Sequence, residues 1–263
     1  MSGKRMIADS SRAGTGQAEP GAVLMPMFGL YLAVMAAQLI SLAFGRIDAS
    51  QSFASIALPS VVYLTVLTLP ACWIGLTAGR QLGLGIFRSG LRGSTTSGRT
   101  GNAGRDIGIA VVLGLLLGAA FLALRFVCQP YLPPEIPALG FRGVGGGLAV
   151  SLGAAIGEEV WFRFGLMSAL VWVVGRVMRV GQPPDAVFWV VIVLASMGFA
   201  LAHLPQLLSY GASAPFAIGG TIVGNVVVGI LYGWSYWRMG LVAAIAAHFS
   251  VDLVMHVVSA LIA

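Results

Sequence analysis

The sequence predicts an all-α fold, a polytopic transmembrane helical bundle of about seven spans. Three observations carry that prediction. The 263 residues are 58% hydrophobic and only 9% charged, whereas a soluble domain carries about 25% charged residues. Several apolar runs reach the roughly 20 helical residues needed to cross a hydrocarbon core of about 30 Å. Finally, lipid offers the backbone no hydrogen bonds, so helices can cross it and open strands cannot.

Residues 1–20 are small and polar, hold Lys4, Arg5 and Arg12, and lack an apolar core. They are expected to form a disordered cytoplasmic tail. The transmembrane domain is then 21–263. Its first apolar run, 21–44, is longer than a signal-peptide core and reads as a retained span. Span two, 53–78, contains Pro59 and Pro70, which a bundle accommodates. The stretch 80–105 is rich in Gly, Ser and Thr and holds five arginines, the composition of a flexible basic cytoplasmic loop. No glycine pattern there follows a strand and opens a helix, so nucleotide binding is not indicated.

Span three is 106–126. The link 129–142 carries Pro130, Pro133, Pro134 and Pro137 and cannot be a regular helix. Spans four to seven are expected at 143–174, 186–208, 215–236 and from 240 onward. An eighth, half-length span has room only in the proline-broken segments. With the N-terminus inside, the basic loop, Arg176, Arg179 and Arg238 all fall on the cytoplasmic side. The net charge of +6 is therefore a topology signal, and no nucleic-acid partner is implied. Cys72 and Cys128 fall at opposite faces, which argues against a disulfide, and lack metal-site spacing.

The chemistry-bearing residues are collected inside spans. Glu158, Glu159 and Arg163 lie in span four, where each ionised group costs roughly 2.5–3.5 kcal/mol by insertion scales and calls for a partner. Glu159 and Arg163, four apart, share a helix face and can pair. Glu158 lies about 100° round the helix from Glu159, which leaves it free to act as general base or acid. A structural Glu–Arg pair locking two helices is the alternative. Phe199 and His203 share a face of span five; a satisfied core histidine is the plainer reading there. His248 and Asp252 are one turn apart in span seven, an arrangement that orients an imidazole, holds a metal or relays a proton. His256 follows near the end of that span and reads as interfacial. Asn225 in span six needs partners within the bundle. Gly219, Gly220, Gly224, Gly229 and Gly233 on the same span permit close helix packing, including a homodimer contact.

Glu158-Glu159-Val-Trp-Phe-Arg163, Phe199-Ala-Leu-Ala-His203 and His248-Phe-Ser-Val-Asp252, in this order and on separate spans, resemble the CPBP family of intramembrane proteases, which includes the CAAX prenyl endopeptidases and many bacterial homologues. The resemblance covers about 145–255, with Asp252 in the Asn/Asp position of the last motif. It implies hydrolysis of a peptide bond in a membrane-associated peptide or protein by an endopeptidase of the bacterial cytoplasmic membrane. Glu158 would activate water, assisted by His203, and His248, oriented by Asp252, would stabilise the oxyanion or protonate the leaving amine. Glu159, Arg163, Phe199 and Asn225 would support them. No cofactor is expected, because the last motif lacks the His-Glu-x-x-His helix of ordinary zinc proteases; if zinc is bound, its donors would be Glu158, His203 and His248. Positive-inside orientation puts His203 towards the outer end of span five, which favours a peptide, membrane tail or signal remnant over a prenylated cytoplasmic substrate. Two other classes stay open on the residues alone: a non-catalytic binding or immunity partner in the bilayer, and a proton-coupled transporter built on buried Glu, His and Asp.

Overall fold

The computed structural model describes residues 21–44, 52–87 and 102–262. The expected tail (1–20) and most of the basic loop (88–101) lie outside the described residues. Among the described residues, seven helices are long and apolar enough to cross a membrane: α1 (Val23–Phe44), α2 (Phe53–Gly79), α3 (Ala103–Tyr131), α4 (Gly143–Val177), α5 (Asp185–Ser209), α6 (Pro215–Met239) and α7 (Leu241–Ile262). The all-α, seven-span expectation is met, and helix α2 runs through both Pro59 and Pro70. Leu58, Val62 and Val66 on α2, Leu116 on α3, and Val190 and Leu194 on α5 point outward, as side chains that meet lipid must.

The chain passes up and down, so the bundle has two unlike ends. One end gathers the arginines: Arg80 after α2, Arg176 and Arg179 at the end of α4, and Arg238 at the end of α6. The other gathers the proline-rich link 132–142 and the turn 210–214. The main hydrophobic core, with Leu76, Val160, Phe164, Met167, Ile192, Tyr236 and Leu241, joins α2, α4, α5, α6 and α7. A second cluster, including Ala110, Phe199, Tyr232, Ala247 and Val251, joins α3, α5, α6 and α7. A small third one packs Leu207, Ala212 and Ala217 against Ile136 of the link.

The start of the stretch expected to be a solvated loop is packed. Leu82 and Leu84 are buried in the main core. The carbonyls of Gly85 and Ile86 accept from the backbone N–H groups of Leu241 and Val242 at 3.0 and 3.1 Å. Those donors belong to the first turn of α7, which has no partners within its own helix. The apolar side chains among the glycines and arginines explain the difference, since composition averaged over 80–105 conceals them.

Small residues set the helix spacing. A Cβ at Gly114 of α3 would meet the Ala247 carbonyl and the Ser250 side chain of α7. On α6, Gly229 and Gly233 face Ser196 and Ile192 of α5, whereas Gly219 and Gly220 have nothing within 4 Å. The lower half of that glycine row is thus used inside the protein. Gly114→Val is expected to lower stability by about 1–3 kcal/mol through overpacking, read as a fall in melting temperature in detergent, and Gly219→Ala to leave it unchanged.

Candidate active site

The three motifs meet between α4, α5 and α7, with α6 closing the side. Glu158 ends the regular α-helical part of α4, and residues Glu159–Met167 continue it with π-helical hydrogen bonding. Such wider turns occur mostly as short insertions and often at functional sites. Two further π-helical stretches are Gly75–Gly79 at the end of α2 and Leu253–Val258, which begins directly after Asp252 on α7. Helix α5 is interrupted at His203, between its main part and a short helix from Leu204 to Ser209.

Glu159 and Arg163 form the buried centre. Their side chains are 0% and 1% exposed, and Arg163 NH1 donates to Glu159 Oε1 at 3.0 Å. Arg163 NH2 also donates to the Gly229 carbonyl on α6 at 3.2 Å. The guanidinium lies over the Phe199 ring at 4.5 Å and the Tyr232 ring at 5.1 Å, a cation–π setting that is worth more once water is excluded. Phe199 therefore holds the arginine as well as standing one turn before His203.

His248 is fixed by Glu159. Its Nδ1 lies 2.8 Å from Glu159 Oε1, and its ring stacks on Tyr232 at 4.3 Å and 13°. Glu159 Oε1 already accepts from Arg163, so it serves as the acceptor here and His248 Nδ1 carries the hydrogen. Asp252, whose Oδ2 is 3.6 Å from Nε2, is beyond hydrogen-bond distance. The residue that hydrogen-bonds this imidazole is thus Glu159 from α4, where the sequence suggested Asp252 from its own helix. His248 and Asp252 share a face of α7, but the ring turns its Nδ1 edge towards α4.

Glu158 is placed differently from its neighbour. Its Oε2 is 3.8 Å from His248 Nε2 and is buried without a hydrogen-bond partner. It lines a cavity of about 340 Å³ together with His203, His248, Asp252, Asn225 and Tyr232. His203 Nδ1 is 2.8 Å from the Phe199 carbonyl; a carbonyl only accepts, so this nitrogen carries the hydrogen and Nε2 is left for a ligand. Asn225 Nδ2 donates to the Thr221 carbonyl of its own helix at 2.9 Å. Of the residues singled out in the sequence, Glu158, Phe199, His203, Asn225, His248 and Asp252 line one cavity, and Glu159 and Arg163 are buried behind it.

Sequence reasoning missed three wall residues. Tyr232 stands between Gly229 and Gly233 and carries no motif signal of its own. Arg142 and Gln206 line this cavity and also a neighbouring one of about 320 Å³ between α1, α2 and α4. The signal for Arg142 was its position, an arginine at the end of the bundle opposite the arginine cluster. His256, read as interfacial, lines the cavity as well. The cavity rises from Glu158 towards Arg142, Gln206 and His256, hence towards the link end of the bundle.

The donor types here, two imidazoles and carboxylates, are those of a zinc site. Among the described residues, however, no group of three or more His, Cys, Asp or Glu side chains stands in an arrangement that holds a metal. The chemistry below is written for water activated by these side chains.

The sequence model of one family, described as Type II CAAX prenyl endopeptidase Rce1-like, matches residues 141–254. A search of the curated proteins and of the solved structures finds no match. The matched segment contains all three motifs, and it agrees with the resemblance drawn from them. It also supports the coarser functional statement, a CAAX-type endopeptidase acting in a bilayer.

Arg163→Ala is expected to leave Glu159 buried without its cation and the Gly229 carbonyl without its donor. Removing one partner of a buried pair costs about 3–5 kcal/mol, which a detergent melting curve would show as a large drop. Arg163→Lys, with one compact cation for two separated acceptors, should fall between the two.

Proposed function

We propose that this protein is an intramembrane endopeptidase in which Glu158 activates water against a peptide bond of a membrane-associated peptide or protein. The observation that carries the reading is the Glu158 carboxyl oxygen, buried at the cavity floor without a protein hydrogen-bond partner. A polar atom in that state calls for a water or a substrate. The 3.8 Å to His248 Nε2 is too long for a direct hydrogen bond and invites a water shared by both groups.

In this mechanism Glu158 takes a proton from that water as its oxygen adds to the scissile carbonyl carbon. His203 accepts the water's second hydrogen at Nε2 and so aims a lone pair at the carbonyl. The carbonyl π pair moves onto oxygen. That oxyanion is met by His248, which in its protonated state donates from Nε2 while Glu159 holds Nδ1. Asp252, 3.6 Å from Nε2, balances the charge of that imidazolium. Collapse of the intermediate breaks the C–N bond, and the proton on Glu158 goes to the departing amine. Water and one peptide bond become one carboxyl and one amino group.

The arginine-rich end is proposed to face the cytoplasm of a bacterial cell, in accord with the positive-inside rule. The cavity then rises towards the outer face, and a peptide, membrane tail or signal remnant reaching the outer leaflet is the favoured substrate over a prenylated cytoplasmic protein.

Two measurements test this. Purified wild type incubated with a peptide library and read by mass spectrometry should cleave, while Glu158→Gln and His203→Ala should each lose about 10²–10⁴-fold and melt at the wild-type temperature. A chelator should leave the wild-type rate unchanged. Unaltered cleavage by Glu158→Gln would sink the mechanism. For orientation, a membrane-impermeant maleimide applied to intact cells should label Cys128, partly exposed at the link end of α3, and spare buried Cys72. Labelling of Cys128 only after permeabilisation would reverse the bundle.

A further inference from the structure

A further cavity, apart from the catalytic one, lies at the opposite end of the bundle. It measures about 520 Å³ and is lined by Gln81, Leu82, Trp172, Gly175, Arg176, Arg179 and the turn at Val180–Gly181. No acidic side chain is among these residues. Its polar wall is organised: Gln81 Oε1 accepts from Trp172 Nε1 at 3.1 Å and from Arg176 NH2 at 3.4 Å, and Gln182 Nε2 donates to the Gln81 carbonyl at 3.2 Å. The Arg176 guanidinium lies 5.0 Å over the Trp172 ring.

The backbone adds a second, independent observation. Helix α4 closes with Val180 N–H donating to the Gly175 carbonyl at 3.0 Å, which sets Arg179 at φ 56°. This is the left-handed position that ends many helices, and glycine normally fills it because a Cβ there is strained. Arg179 is the one non-glycine residue with positive φ among the described residues. Attraction to the helix C-terminus alone does not require it, because Arg176 already supplies a cation in the last turn. The left-handed turn sets Arg179 beside Arg176 in the wall of the same cavity.

Depth identifies its chemistry. Helix α4 is long and apolar enough to cross a membrane and closes at Val177, and cations clustered at such a helix end suit the headgroup region, with Trp172 a turn earlier as an interfacial aromatic. Leu82 and Val180 add apolar wall to the same cavity. We propose that this cavity binds the phosphate of an anionic phospholipid headgroup, with Arg176 and Arg179 as its donors. The site is separate from the catalytic cavity and does not depend on proteolysis.

Native mass spectrometry of the detergent-purified full chain, titrated with phosphatidylglycerol, phosphatidylcholine or inorganic phosphate, tests the assignment. Wild type should retain phosphatidylglycerol at least tenfold more tightly than phosphatidylcholine, and Arg176→Gln/Arg179→Gly should lose that preference. Arg179→Gly alone is informative if the double variant folds poorly: it should hold or raise the melting temperature of the lipid-free protein while weakening phosphatidylglycerol binding about three- to tenfold. Equal binding of phosphatidylglycerol by wild type and Arg179→Gly overturns the proposal. So does inorganic phosphate competing as well as the lipid, which would make the ligand a soluble anion.

Discussion

The buried ion pair between Arg163 and Glu159 is the constraint on which the catalytic half of the bundle depends. A guanidinium 1% exposed must have its donors satisfied from within. It does so by reaching Glu159 on its own helix, the Gly229 carbonyl on α6, and the faces of Phe199 on α5 and Tyr232 on α6. Glu159 in turn holds His248 on α7. Four helices are thereby fixed relative to one cation. The close contact of Gly229 with Ser196 follows the same logic, since α6 must approach α5 for its carbonyl to meet the arginine.

Much of this was legible in the sequence because membrane physics writes in long words. Spans near 20 apolar residues leave little freedom for placing helices, and the arginine clusters at their ends mark the two faces. The acids and histidines were legible as a set because each is expensive in hydrocarbon and must find company. Which atom meets which was not legible. A helical wheel puts Asp252 beside His248, yet ring orientation is settled by α4 across the interface, where Glu159 is nearer. The packed residues 82–86 were hidden by the glycines and arginines around them. Arg142 and Gln206 carry no motif and become cavity walls only once α4 and the broken end of α5 converge.

The adjacent glutamates illustrate how one helix can give identical side chains different surroundings. Glu159 is enclosed and accepts from Arg163 and His248 at the same oxygen, Oε1, which leaves its Oε2 unpartnered as well; Glu158, one residue earlier, opens onto the cavity. The transition from α- to π-helical hydrogen bonding falls between them. A wider turn lets the segment from Glu159 to Arg163 face the core while Glu158 keeps the register of the preceding glycine-rich helix. Two π-helical stretches, one beside each of the facing motifs on α4 and α7, adjust how the helices that carry most of the chemistry meet.

The pairing of Glu159 with a residue of its own helix also bears on how the protein is made. Helix α4 has the lowest mean hydropathy of the seven, 1.4, and emerges from the ribosome well before α7. His248 is not yet synthesised when α4 must leave the insertion machinery. Arg163, one turn away, is already present, so the two opposite charges can enter lipid as a nearly neutral dipole rather than as separate ions. Glu158 has no such companion at that stage. The order of residues along α4 thus supplies the charge compensation within one helix, before any other span is needed.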